Sequence, residues 1–239
     1  MGLWNTLGLD MERHRLVALV GGGGKTTSLY ALAHEARQAG KTVIVTTTTH
    51  MVPHPSLFLT GTSERETLRG LLARYGIVTV GTLTREDKMT GAEDLSACKA
   101  EADVVLVEAD GARLHPLKAP ADHEPVVPAE ADAVVALCGA DCLGGSIQAV
   151  CHRPERVAAL LDKPLDAVVT PADVARVLLS TRGGRKSVGD LPFRCILNKA
   201  DTPERRAGAE KIAGLLAAQG VTAAITFYTE EEQGGLCWF

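Results

Sequence analysis

The sequence predicts an α/β fold in three layers, a mostly parallel sheet with helices on both faces. Three observations carry this prediction. Apolar, β-branched runs such as TVIVTTTT (42–49) and DAVVALCG (132–139) show no period-two alternation, as expected of strands buried on both sides. Segments between such runs place apolar residues at helical spacing, as Leu29, Leu32, Ala33 and Ala36 do. The two kinds of segment alternate, which is what crossover helices between parallel strands require. A chain of 239 residues, 46% of them hydrophobic, is enough for one such domain over 1–239.

The elements follow in order. RLVALV (15–20) reads as a buried strand, and the helix from Lys25 stops at Gly40. After the strand at 42–49, Pro53 and Pro55 impose a loop. SERETLRGLLARYG (63–76) reads as an amphipathic helix with a Ser63–Glu66 capping box, followed by the strand IVTV (77–80). DVVLVEADG (103–111) is an apolar run ending in acids and glycine, and 132–139 repeats its shape. Helices are expected over 153–161 and 171–180, with a brief strand AVVT (167–170) between them. TRGGRKSVGD (181–190) reads as a flexible loop. FRCILNKAD (193–201), a helix over 203–219 and the strand TAAITF (222–227) complete the pattern.

A net charge of −4 and the lack of a dense Lys/Arg stripe argue against nucleic-acid binding. No apolar run is long enough to span a bilayer. The first fifteen residues lack the basic-then-apolar layout of a secretory signal, so a cytoplasmic protein is expected. Cysteines at 98, 138, 142, 151, 195 and 237 match neither a disulfide scaffold nor a standard zinc ribbon, and are expected to be reduced, buried thiols. His50 and His54 are four apart, but the prolines among them exclude a helical metal pair.

The chemistry starts at VGGGGKTT (20–27). A strand, a glycine-rich turn, then Lys25-Thr26-Thr27 opening a helix is the arrangement of a phosphate-binding loop. The backbone of Gly21, Gly22, Gly23 and Gly24 would cradle phosphate at the helix N-terminus. Lys25 would reach the β- and γ-phosphates, and the Thr26 hydroxyl would ligate Mg²⁺, with Thr27 beside it. The strict G-x-x-x-x-G-K-[ST] pattern wants glycine where Leu19 stands. The stretch resembles the shorter GGxGKTT form of the P-loop NTPases that include metal-insertion GTPases and ParA-like ATPases. In those ATPases a lysine precedes the glycines, where this chain has Val20.

Glu108, Asp110 and Gly111 end a buried strand at the sheet edge where open α/β sheets bind ligands. Either acid could hold Mg²⁺ or orient the attacking water, and the spacing leaves open which one does. Glu-x-x-Gly resembles the third nucleotide motif of nickel- and cobalamin-handling GTPases, which would give the Gly111 N–H to the γ-phosphate. Thr48, Thr49 and His50 follow the second strand, where a switch segment could offer a hydroxyl to Mg²⁺. Asn198-Lys199-Ala200-Asp201 resembles the guanine-reading motif. A carboxylate at 201 could accept from both guanine N1–H and the exocyclic amine, a donor pair that adenine lacks. GTP is therefore favoured over ATP.

Taken together, VGGGGKTT, GKTVIVTTTTHM, VLVEADGARLHPLKAPADHEPVVP, CGADCLGG, CHRPERV and ILNKAD make the chain resemble the YqeC family of accessory proteins for selenium-dependent molybdenum hydroxylases. The resemblance implies a P-loop NTPase-like fold and a nucleotide-dependent role in maturing such an enzyme, with the hydroxylase or a cofactor-maturation protein as client partner. Within the family block, Arg113, His115, Lys118, Asp122, His123 and Glu124 crowd an extended loop fixed by prolines at 116, 120, 125 and 128. Such a loop beside the nucleotide suits an anionic cofactor, a selenium donor or the client. The expected activity is a Mg²⁺-dependent GTPase, with an ATP-dependent small-molecule kinase or a non-catalytic binding module as alternatives. Dimerisation across the nucleotide is a further expectation, without an interface legible in the residues.

Overall fold

Leu16, Ala18 and Val20 enter one hydrophobic cluster, while Val17 and Leu19 between them enter another. This strand is thus sandwiched between two cores, which is why its sequence is uninterruptedly apolar. The computed structural model describes residues 2–85 and 87–228; Cys237 lies outside them. A short helix α1 (Leu3–Thr6) precedes β1 (Leu16–Gly21) and α2 (Lys25–Gln38). There follow β2 (Val43–Thr47), β3 (Phe58–Thr60), α3 (Arg65–Tyr75) and β4 (Ile77–Val80). A hairpin of β5 (Thr82–Arg85) and β6 (Lys88–Thr90) leads to α4 (Leu95–Glu101), β7 (Val104–Glu108) and β8 (Leu117–Lys118). The second half holds β9 (Ala133–Gly139), α5 (Ile147–Val150), β10 (Cys151–His152), α6 (Pro154–Leu161) and α7 (Pro171–Leu179). It ends with β11 (Phe193–Asn198), α8 (Pro203–Ala217) and β12 (Ala223–Ile225).

Eight strands form one sheet in the order β12-β11-β9-β1-β7-β2-β4-β3, and every pairing in it is parallel. Residues of α2 join the cluster on one face, with Trp4 and Leu7 of the N-terminal segment. Residues of α3, α4, α6, α7 and α8 join the cluster on the other. This is the three-layer α/β architecture expected of a P-loop NTPase-like fold. The chain runs from β1 toward β2, β4 and β3 on one side, and toward β9, β11 and β12 on the other. Sites in such sheets form where the strand order diverges, at the carboxyl ends of the strands. Leu19 pairs with Glu108 and Gly21 with Leu137, so the glycine loop, the acids and the end of β9 share that edge.

Several local expectations are corrected. Residues 167–170 do not form a strand of the sheet; Val168 makes only an isolated bridge to Ser146. Thr170 instead caps α7, in a reciprocal capping box with Asp173. The box expected at Ser63 and Glu66 is absent, because the Glu64 side chain accepts from the backbone N–H groups of Glu66 and Thr67. Ser63 Oγ accepts from Asp94 N at 3.3 Å, tying α3 to the start of α4. The 181–190 stretch is irregular, and its turns bond back onto α7 through Gly184 N to Val177 O (2.9 Å). No helix among the described residues is long and apolar enough to cross a membrane.

Candidate functional site

The glycine loop leaves β1 and is closed on itself by the protein. Gly21 N donates to the Asp110 carboxylate (3.1 Å), Gly22 N to Leu137 O (3.0 Å) and Gly23 N to His115 O (3.1 Å). A Cβ on Gly21, Gly22 or Gly23 would overlap the backbone of Leu137, His115 or Gly139 respectively. Gly24, the N-cap of α2, has φ 114°, a conformation that only glycine adopts without strain. The glycines therefore do not themselves form the whole anion cradle. They let the loop fold tightly enough to aim the N-terminus of α2, whose first N–H groups have no intrahelical acceptor, outward.

Thr26 and Glu108 meet there. Thr26 Oγ1 donates to Glu108 Oε2 at 2.8 Å. Glu108 is 7% exposed, and burial raises its pKa against the opposing pull of Lys25 and the Thr26 bond. A buried carboxylate beside a hydroxyl is an oxygen pair of the kind Mg²⁺ takes together with substrate phosphates. Among the described residues, no group of three or more His, Cys, Asp or Glu is placed to hold a metal ion.

Lys25, 5% exposed, donates to Gly21 O (2.7 Å) and pairs with Asp110 (3.2 Å). Asp110, 1% exposed, also pairs with Lys118 (2.9 Å). Lys118 in turn meets Glu124 (2.9 Å) and Gly111 O, and Glu124 takes Arg153 through two bonds of 2.8 and 3.1 Å. The result is a chain of alternating charges, Lys25–Asp110–Lys118–Glu124–Arg153, running from the glycine loop to the start of α6. Asp110 is thereby turned away from Thr26 and lines a small space beneath the loop with Leu117 and Lys118. Of these two strand-end acids, Glu108 is the one that lines the open cleft.

That cleft has a volume of about 680 Å³ and is lined by Gly23 to Thr27, Glu108, Gly111 to His115, Thr49 to Val52, Lys88 and Glu124. Thr48 points elsewhere, donating to Val126 O at 2.7 Å, and its neighbour Thr49 faces the cleft instead. On the other side of the α2 N-terminus lies a second pocket of about 320 Å³, which shares Gly24 and Thr27. Asn198, Lys199 and Asp201 line it with Asp141, Arg205, Phe227 and Tyr228. Asn198 Nδ2 donates to Gly23 O (2.9 Å), and Lys199 pairs with Asp141 (2.7 Å). Asp201 is held by Arg205 at 2.7 Å, which keeps its carboxyl below the ordinary value. Asp141 was not singled out from sequence, although an acid two residues beyond the end of a buried strand is the same signal that marks Asp110.

The thiols of Cys138, Cys142 and Cys151 and the imidazole of His54 are buried in the interior. Cys138 and Cys142 lie with their sulfurs 3.7 Å apart, and their contact and burial push the Cys138 thiol well up. Burial raises Cys151 to about 12. His54 is buried edge-on against Tyr30.

Residues 17–155 match the family model for the YqeC protein. The chain belongs to the YqeC family. A relative, the Uncharacterized protein YqeC of Escherichia coli (strain K12), is 30% identical over 185 residues, 74% of this chain and 72% of that protein. The YqeC match spans the glycine loop, Glu108 and the charge chain as far as Arg153, and stops before Asn198–Asp201.

The charge chain in this YqeC fold makes stability depend on acid. Burial alone would raise the Glu124 carboxyl, yet Lys118 and Arg153 draw it down from 4.5 to about 2. Its folded-state value lies below its unfolded one, so its contribution is present above pH 4.5 and is lost as pH falls toward 2. About 3 kcal/mol is at stake. Thermal melts from pH 6 down to pH 3 should show a steeper loss for the native chain than for Glu124→Gln. Parallel acid limbs would contradict this.

Proposed function

We propose that this chain is a Mg²⁺-dependent nucleoside-triphosphate hydrolase that prefers GTP to ATP and serves the maturation of a selenium-dependent molybdenum hydroxylase. The observation that carries the nucleotide reading is the Thr26–Glu108 contact beside Lys25 at the N-terminus of α2. Oxygen ligands, a cation and outward backbone donors converge there on one point. Lys25 would leave Asp110 for the phosphates, while Lys118 keeps Asp110 compensated. Glu108 would hold the metal with Thr26, and Gly111 borders the same cleft. Bound Mg²⁺ would supply charge neutralisation between the β- and γ-phosphates.

The base is assigned to the pocket at Asn198–Asp201. Asn198 already joins the phosphate loop through Gly23 O, and Phe227 offers a ring for stacking. Guanine's two donors would compete with Arg205 for the Asp201 carboxylate. The resemblance carried by VLVEADGARLHPLKAPADHEPVVP supports the maturation role, and nucleotide-dependent binding of the chain to such a hydroxylase tests it.

Titrating the purified protein with GTP and ATP, each with and without Mg²⁺, tests the reading. Mg²⁺-dependent binding with GTP the tighter ligand is expected, followed by slow release of inorganic phosphate. Absence of binding by either nucleotide would overturn it. Asp201→Ala should then lower the GTP-over-ATP ratio by about tenfold or more. An unchanged ratio would remove Asp201 from base recognition.

A further inference from the structure

Gly23 to Thr27 and Glu108 account for one wall of the 680 Å³ cleft. We propose that the opposite wall binds a second ligand, a small organic anion bearing a phosphate or carboxylate, next to the terminal phosphate of the nucleotide. This rests on the nucleotide reading above and adds a co-substrate class to it.

Charge is the first argument. Of the two carboxylates in the lining, Glu124 is ion-paired by Lys118 and Arg153, and Glu108, hydrogen-bonded by Thr26, is the proposed metal ligand. Arg113 and Lys88 also line the cleft, and neither side chain has a hydrogen bond or ion pair among the described residues. His50 and His115 add imidazoles to the same wall. The uncompensated charge there is positive, which selects an anion.

Construction is the second. The hairpin β5–β6 takes no part in the main sheet. It is stitched to the loop after β2 by Met51 N to Met89 O (3.2 Å) and Met89 N to Met51 O (2.9 Å), with both methionines buried. In that antiparallel register Val52 falls opposite Lys88, and both face the cleft. Arg113 and Leu114 are successive non-glycine residues with φ 45° and 66°. Such backbone persists where its surroundings over-determine it, here Gly23 N on His115 O and Lys118 on Gly111 O. These bonds on either side fix the backbone of Arg113, which lines the cleft.

Room is the third argument. A base seated at Asn198–Asp201 and phosphates along Gly24–Thr27 would leave the larger cleft, within the size range of small-molecule sites, mostly free.

The test uses the full chain loaded with Mg²⁺ and a β,γ-imido analogue of GTP, with loading measured first. Glycerol phosphate is then titrated by calorimetry, with glycerol as the neutral control. Saturable binding of glycerol phosphate alone is expected. Arg113→Gly, which suits the left-handed backbone, and Lys88→Ala should each weaken it by about tenfold, more than they weaken the analogue. No saturable binding to the loaded protein up to tens of millimolar, or equal binding by both variants, would overturn the second ligand. Failure of the analogue to load would overturn the nucleotide reading and this one with it.

Discussion

Lys25→Ala is expected to weaken binding of the Mg²⁺–triphosphate complex by about 100-fold or more, the usual scale for deleting one partner of a desolvated charge pair. Among the described residues, Lys25 is the one cation placed at both the glycine loop and the α2 N-terminus. The fold should tolerate its removal. Asp110 keeps Lys118 at 2.9 Å and the Gly21 N–H, and alanine is a good helix former at the first position of α2. A melt of the variant beside a nucleotide titration separates the two effects. Native-like affinity in a normally folded Lys25→Ala would remove lysine from phosphate binding.

Lys118→Met carries the second large effect, and it falls on stability. Lys118 is 4% exposed and bonds Asp110, Glu124 and Gly111 O. Methionine retains much of the stem but leaves the buried Asp110 and the half-buried Glu124 short of a counter-charge. Breaking a buried pair in this way costs about 3–5 kcal/mol. Urea unfolding should show that loss, and Lys118→Met with Asp110→Asn should lose less than the two single changes summed. A change under about 1 kcal/mol for Lys118→Met would mean that the chain of charges is dispensable.

The strands of the sheet other than β3 were legible because residues such as Val43–Val45 and Val104–Val107 need no alternation when both faces are covered. The glycine loop, Glu108 and Asn198–Asp201 were legible because each is a contiguous group with its own local signature. The hairpin β5–β6 was not, since its strands are short and Thr82, Thr84 and Lys88 carry no apolar pattern. The different placement of Glu108 and Asp110 was beyond sequence as well. It is decided by Lys118, Glu124 and Arg153, and the last two stand 29 residues apart. The missed cap at Glu64 and the strand wrongly placed at 167–170 share a cause. Neighbouring residues offered equally good local chemistry, and tertiary contacts chose between them.

A relative of this fold that bound no nucleotide would still retain Gly21, Gly22 and Gly23. The backbones of Leu137, His115 and Gly139 leave no space for any side chain there, whatever is bound. Thr27 and Asp201 are under no such constraint, and would drift once selection on the ligand was lifted. Glycines kept intact beside a varied Thr27 and Asp201 would thus mark a relative that preserved the architecture after abandoning its substrate.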